Sequence, residues 1–435
     1  MIFEAIVVGA GITGLTTAYV ATNRGKKVLV LEKQSRAGGN IKTLKVERDN
    51  KTFLFEEGPQ TILANNEAVY KLINSLPVEV VKASPTSNKR FIYKRGKLIP
   101  IPLKPWEFFL TPLVSLKSKL LLFREFFEKP IPTEDESVAS FVRRHFGEEF
   151  LNYFVQPFVS GIYAGDAQKL SLRYGFPKLW EIQKRYGSLL KAFFKEKRVA
   201  PKGELISFRG GLIELIRALE RKVNLLTDAE VLKIKKTDGN LFEVISKKGT
   251  FKTKKVIITT DAQTTARLLK PFYPPIEVLK EIYYPPLAVV SLSVPKIGLE
   301  GFGFLVPPKE GLKILGAIFV SSLFEYRCPK EEDCFSVFLC GDTQKEVCQQ
   351  KEEEILLTAQ REIKKVFPQI KEFRFRKIRL WKKSIPQYWV GYQRYMNALE
   401  GLRKVEPNIL VISNFVEKSS LAGCIEKGFK VGEQI

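Results

Sequence analysis

The stretch Phe3-Glu-Ala-Ile-Val-Val-Gly9-Ala-Gly11-Ile-Thr-Gly14 decides the fold. A short apolar run ends in Gly-x-Gly-x-x-Gly, and a helical pattern follows from Leu15 to Arg24. Lys27-Val-Leu-Val-Leu-Glu32 then gives a second apolar strand that closes on an acid. This strand–turn–helix–strand context turns a common glycine motif into a dinucleotide-binding expectation. Gly9, Gly11 and Gly14 let the backbone turn tightly and come close to a pyrophosphate, whose charge a helix N-terminus favours. Glu32, 18 residues beyond Gly14, is placed to accept from a ribose 2′-hydroxyl, and its charge opposes a 2′-phosphate. FAD or NAD is expected, and NADP is not.

The next residues separate those two cofactors. Lys33 is followed by Gln34-Ser35-Arg36-Ala37-Gly38-Gly39-Asn40-Ile41-Lys42-Thr43. A second glycine pair behind an arginine can bring more backbone, and a fork-shaped cation, to the same diphosphate. The segment resembles the Arg-x-Gly-Gly stretch of the flavin amine-oxidase superfamily. That resemblance implies non-covalent FAD, with Lys33 among the cofactor-binding residues, Arg36 contacting a phosphate and Gly38–Gly39 passing close to the cofactor. At the far end Asn408-Ile-Leu-Val-Ile-Ser413-Asn414 reads as a buried strand, followed by a small-residue turn and a helix through Gly423, Cys424, Ile425 and Gly428. Asn414, Gly423, Cys424 and Ile425 suit a flavin's ring and ribityl end, where backbone N–H groups can meet a ring carbonyl.

Size and charge bound the rest. With 435 residues the chain can form two or three domains. Lysines and arginines number 71 against 47 acids, a net charge of +24. A lysine-rich solvated surface explains that excess, as does attraction to anionic lipid or an acidic substrate. No zinc-finger spacing or basic recognition helix is visible, so a nucleic-acid partner is not expected. The five cysteines, Cys328, Cys334, Cys340, Cys348 and Cys424, have no zinc-site spacing, and free thiols in a reducing cytoplasm are expected. No resident metal is expected. The first strand begins almost at Met1, without a leader pattern, and no run of eighteen apolar residues occurs.

The middle of the chain is less regular. Residues 98–128 crowd apolar side chains around Trp106, punctuated by Lys104, Lys117, Lys119 and Arg124. Helices lying in a bilayer interface, with cations reaching lipid headgroups, fit this pattern, as does an ordinary buried helical subdomain. Residues 134–196 read as several helices, with the single histidine, His145, as a surface or packing residue. Two-residue alternation returns at 223–260, and further strands are expected at Leu287–Val294, Ile314–Val320 and Phe335–Leu339.

Phe55-Glu-Glu-Gly58-Pro59, Lys89-Arg90-Phe91-Ile92-Tyr93, Gln156 to Asp166, Phe208-Arg-Gly-Gly-Leu212, Gly301-Phe-Gly-Phe-Leu305 and Ile385-Pro-Gln-Tyr388 extend the likeness. Nearly end to end, the chain resembles the oxygen-dependent protoporphyrinogen oxidases. The family implies an α/β fold: a Rossmann-like FAD-binding domain, an inserted β-sheet substrate domain and a helical membrane-binding subdomain. It places them at 1–85, 200–265 and 385–435 for FAD, at 86–100 and 266–384 for substrate, and at 101–199 for the helices. It further implies Gly58 beside the cofactor, Arg90 pairing with a propionate, Gly161 near the substrate, and Leu305 and Leu315 sandwiching the macrocycle. A surface arginine and plain core leucines would look the same in sequence.

The implied reaction takes protoporphyrinogen IX to protoporphyrin IX in three two-electron steps, with hydride passing to flavin N5 and dioxygen giving peroxide. No side chain is named as a catalytic base. The implied setting is the cytoplasmic face of a membrane, with an anionic lipid surface as partner and a homodimer left open. Coproporphyrinogen III as substrate, another amine oxidase with Tyr388, Trp389 and Tyr392 as an aromatic cage, and a non-catalytic porphyrin- or lipid-binding protein are the competing readings. Two departures from the family stand out: Tyr392 where relatives carry histidine, and a chain that ends soon after Gly428, which implies a trimmed last helix.

Overall fold

The computed structural model describes residues 1–130, 135–196 and 203–435. The sequence expectations for residues 134 and 197–202 therefore lie outside the described residues. Strand Ile2–Val8 sits at the centre of the first sheet, paired in parallel with Val28–Leu31 on one side and Gly249–Ile258 on the other. Ile409–Val411 adds in parallel to the far half of Gly249–Ile258, while Leu241–Ser246 and Val231–Thr237 continue that edge antiparallel. Central strands covered on both faces read as unbroken apolar runs, and Ile6, Val7, Ile257 and Ile258 are fully buried. Three distant stretches of chain thus build one nucleotide-binding sheet.

Helix Ile12–Asn23 covers one face of it and packs along helix Leu421–Glu433. The fit needs glycine: a Cβ on Gly428 would come within 2.6 Å of the Thr13 carbonyl oxygen, and one on Gly432 within 2.8 Å of the Thr17 carbonyl oxygen. The last helix is 13 residues long, and the glycines sit inside it because a neighbouring helix passes so close.

A second sheet of seven strands, in the order Phe375–Trp381, Leu287–Pro295, Glu332–Cys340, Gly316–Phe319, Gly303–Leu305, Arg90–Lys94 and Lys97–Pro100, stands over the first. The start of the 98–128 segment is therefore a strand edge, and its helices are Pro105–Leu110 and Leu116–Glu125. Four of the five cysteines correct the free-thiol expectation. Cys328 bonds Cys334 and Cys340 bonds Cys348, with Cα separations of 6.2 and 5.7 Å, leaving buried Cys424 free. Strand Glu332–Cys340 carries one cysteine near each end, and each finds its partner on a flanking short helix or turn.

Between the layers, Arg327 and Glu56 form an ion pair at 3.2 Å with side chains 2% and 0% exposed. Glu56 also accepts from Thr43 Oγ1 and from the Leu212 N–H, yet burial outweighs these partners and raises its pKa. Removing one member of such a pair leaves a buried charge and costs about 3–5 kcal/mol, whereas replacing both is far milder. Arg327→Leu should lower the thermal midpoint by several degrees, and Glu56→Gln in the same chain should recover much of the loss; differential scanning calorimetry checks both.

Candidate flavin site and the cavity above it

One cavity of about 1860 Å³ runs from the first glycine turn to the underside of the second sheet. At its nucleotide end the glycines divide the work. Gly9 has φ +106°, and Gly38 and Gly39 have φ +101° and +57°, values that side chains disfavour. A Cβ on Gly14 would run into the Gly9 carbonyl oxygen, so this glycine lets the helix press against the turn. Gly11 has nothing within 4 Å of a would-be Cβ. That open space, in front of the helix N-terminus, is the room a diphosphate needs.

Glu32 is held by the Ala10 N–H at 2.8 Å and the Gln34 N–H at 2.9 Å, one to each oxygen, and its second lone pairs remain for a ribose. Lys33 lines the same end. Arg36 does not line the cavity. Its guanidinium donates to the carbonyls of Gly39 at 2.8 Å, Ala37 at 3.0 Å and Ile41 at 3.2 Å. Arg36 therefore clamps the Gly38–Gly39 turn from behind, which its sequence position alone could not reveal. Thr259, unnoticed in the sequence as a site residue, donates to the carbonyls of Val8 or Gly9 and joins the lining.

The C-terminal segment closes the other side. Asn414, Ser419, Ser420 and Cys424 line the cavity, as does Gly58. Gly423 is one residue behind, its N–H given to the capping Ser420 hydroxyl, and Ile425 is fully buried in the core beneath. Those two shape the helix and do not reach the cavity. The turn itself is held by groups the sequence did not flag. Lys427 donates to the carbonyls of Ser413 and Val416, both at 2.6 Å, and its burial lowers its pKa. Tyr388 donates to the Asn414 carbonyl at 2.6 Å and Tyr392 to that of Phe415 at 2.8 Å. Burial pushes both phenols well above their ordinary pKa, so they stay protonated. Of the supposed aromatic cage only Tyr388 lines the cavity; Tyr392 is a structural strut and Trp389 packs on Tyr283.

Over this end lies the apolar roof. Leu305, Gly316 and Phe338 occupy one register row of the second sheet and line the cavity, with Leu315 beside them. Gly161, on helix Gln156–Tyr163, faces Leu305 so closely that a Cβ would sit 2.6 Å from the leucine's Cδ2. Arg90 projects from the sheet's far side into the same space, its guanidinium 4.9 Å from the centre of the Phe302 ring. Desolvation lowers its pKa, and among the described residues it has no carboxylate partner. The structure thus brings Arg90, Gly161, Leu305 and Leu315 together at one end. Among the described residues there is no cluster of His, Cys, Asp and Glu able to hold a metal. His145 is fully buried, at 3.2 Å from Glu125, and packs as expected of a core residue.

Residues 12–435 match the family of flavin containing amine oxidoreductases, and the chain belongs to it: it is a flavin-dependent oxidoreductase of mixed α/β fold. Within that family its relatives include named porphyrinogen oxidases. The chloroplastic protoporphyrinogen oxidase of Oryza sativa subsp. japonica is 30% identical over 473 residues, covering 99% of this chain and 88% of the relative. Coproporphyrinogen III oxidase of Bacillus subtilis (strain 168) is 24% identical, covering 98% and 96%. Among solved structures a protein of Exiguobacterium sp. 255-15 superposes with a TM-score of 0.84 at 22% identity, covering 99% of this chain and 98% of its own. Wild-type putrescine oxidase gives 0.75 at 13%, covering 100% and 99%. These two likenesses show the fold.

Gly11→Arg should leave the fold intact, since nothing occupies that space, yet abolish cofactor uptake. The ratio of flavin to protein absorbance should fall at least about tenfold with an unchanged far-ultraviolet circular dichroism spectrum; full flavin content would remove Gly11 from the cradle.

Proposed function

We propose that this protein oxidises protoporphyrinogen IX to protoporphyrin IX, with FAD held non-covalently between the two ends of the chain and dioxygen as electron acceptor. The observation that carries the reading is the apolar end of the cavity, where Leu305, Leu315, Gly316 and Phe338 form a roof and Arg90, without a carboxylate partner among the described residues, stands over Phe302. A flat apolar macrocycle bearing propionates suits that combination: an apolar surface for its face and a planar cation for a carboxylate. Gly9, Gly11, Glu32 and Lys33 would hold the adenosine and diphosphate portions, and Gly58, Asn414 and Cys424 the ring end. When bound, FAD supplies the hydride acceptor.

The side chains contribute position and exclusion of water. The tyrosines lining the cavity, Tyr163, Tyr174, Tyr284 and Tyr388, all have raised pKa values from burial, so none serves as a base. The Tyr163 hydroxyl is pushed up to about 12 and donates to the Gly175 carbonyl. In this reading 1–85, 200–265 and 385–435 bind FAD, 86–100 and 266–384 bind substrate, and 101–199 form the helical region. Anaerobic mixing with protoporphyrinogen IX should bleach the flavin absorbance near 450 nm as porphyrin fluorescence rises, about tenfold more slowly at low substrate for Arg90→Ala. A flavin that stays oxidised would return the chain to an amine oxidase or a porphyrin-binding role.

The helical region is the proposed contact with an anionic membrane surface. Trp106, Leu110 and Phe127 are 59%, 80% and 75% exposed, and Leu103, Phe109, Leu116, Leu120 and Phe123 are exposed with them. A patch of this size is uncommon on a protein meant only for water. Leu103, Phe158 and Ile162 are exposed and also line the cavity, so its mouth opens on the same apolar side. Lys104, Lys117 and Arg124 are exposed and able to meet headgroups, but Lys119 is buried, donating to the Phe109 and Thr111 carbonyls at 2.8 Å. It joins the two short helices and does not reach lipid. No helix among the described residues is long and apolar enough to cross a membrane, which fits a peripheral association. Flotation with anionic vesicles should carry the protein at low salt, and Trp106→Glu with Leu110→Glu should leave it at the bottom of the gradient; a wild type that does not float would end this part of the reading.

A further inference from the structure

Helix Leu421–Glu433 carries a half-buried lysine, Lys427, against the turn at 413–418 that precedes it. An ammonium has three hydrogens, and the turn takes all of them. The carbonyls of Ser413 and Val416 each accept at 2.6 Å, and the carbonyl of Glu417 accepts the third. Ser413, Asn414, Lys418, Ser419 and Ser420 line the cavity, so the clamped turn is itself a piece of cavity wall. Glu417 and Lys418, consecutive and neither of them glycine, are left-handed at φ +51° and +42°, a conformation side chains disfavour. The carbonyls of Val416 and Glu417 belong to the peptide groups on either side of Glu417, so the lysine pins the strained pair directly.

A neutral donor could hold the turn. The charge of the lysine is a separate matter, and it is poorly compensated. Among the described residues no carboxylate pairs with Lys427. Of the two acids whose charge it feels, Glu426 is taken by Lys418 at 2.9 Å and Glu417 is exposed, where water screens it. The turn also has a polarity. In a planar trans peptide the C=O and the following N–H point in opposite directions, so the N–H groups of Asn414, Glu417 and Lys418 face away from the ammonium. Among the described residues nothing accepts from them. The N-terminus of helix Leu421–Glu433 adds a dipole of the same sign. Ammonium, peptide groups and helix thus make this wall electropositive.

We propose that Lys427 is a positioning residue that, through this turn, makes the bound flavin easier to reduce. The proposal rests on the flavin reading of the site, with Asn414 at the ring end, and not on the identity of the substrate. On accepting a hydride FAD gains negative charge, and fixed cations and N–H dipoles beside its ring favour that state. Lys427 keeps the N–H groups aimed and adds its own charge behind them. An exposed lysine on the same helix would be screened by water and could do neither.

The test measures the midpoint potential of wild type, Lys427→Gln and Lys427→Arg as full-length proteins with FAD in excess. Reduction is anaerobic, by xanthine and xanthine oxidase against a reference dye. Glutamine keeps N–H donors without the charge, and arginine keeps both. In Lys427→Gln the two-electron equilibrium should move about tenfold toward oxidised flavin, a fall of about 30 mV, while Lys427→Arg stays near wild type. Equal potentials in all three proteins overturn the proposal, and so does an equal fall in both variants, which would assign the effect to the shape of the turn. A variant that takes up no flavin even with FAD in excess overturns it in favour of a role in cofactor retention. A wild type that binds no flavin overturns the flavin reading and this proposal together. No porphyrinogen enters the measurement, so its failure and a failure of the substrate reading are separate results.

Discussion

The closeness allowed between helix Ile12–Asn23 and the turn before it sets everything else. At Gly14 there is no space for a single methyl group against the Gly9 carbonyl, and that contact fixes where the helix N-terminus points. Gly11 then faces empty space where the backbone N–H groups converge. The same helix has to admit the last helix against Thr13 and Thr17, where Gly428 and Gly432 remove the side chains in the way. From this one packing decision follow the open space in front of Gly11 and the position of the C-terminal helix against Thr13 and Thr17. The cavity is thereby walled by segments from both ends of the chain and roofed by the second sheet.

Positional precision at the site comes from carbonyls more than from charges. Arg36, Lys427, Tyr388 and Tyr392 each spend their donors on backbone carbonyls of a neighbouring turn. Such bonds fix the conformation of glycine- and serine-rich segments that have little packing of their own, which matters for a reaction that depends on orientation. Glu125 does the same for the helical region, taking the Ser188 hydroxyl and the Leu189 and Leu190 N–H groups. Burial opposes its charge, but these bonds win and hold its carboxyl below the ordinary range.

What could be read beforehand depended on the range of each interaction. The glycine turn, the acid closing the second strand and the strand–turn–helix at the far end are local patterns, and each landed on the cavity or its wall. Arg90, Gly161, Leu305 and Leu315 were reached through family likeness, and their meeting at one end is a matter of register between strands more than 200 residues apart. Arg36 was assigned a phosphate because an arginine beside glycines has that chemistry; only folding shows that three carbonyls claim it first. Lys119 was given to lipid for the same reason. Lys427 and Thr259 carry no signal at all, since a lysine in a helix and a threonine after a strand are ordinary. The cysteines were misread because pairing depends on which short helix lies beside a strand end, and spacing does not encode that.

Strand Ile2–Val8 acquires its second neighbour only when residues 252–258 arrive, and that neighbour is completed only by residues 409–411. The first domain to be synthesised is therefore the last to close. An emerging chain holds its glycine turn and helix with no sheet behind them, and the second sheet waits in the same way, since Arg90–Lys94 finds its parallel partner only at Gly303–Leu305. Long-range parallel pairing is slow to form, so both walls of the cavity close only after distant stretches of the chain have met.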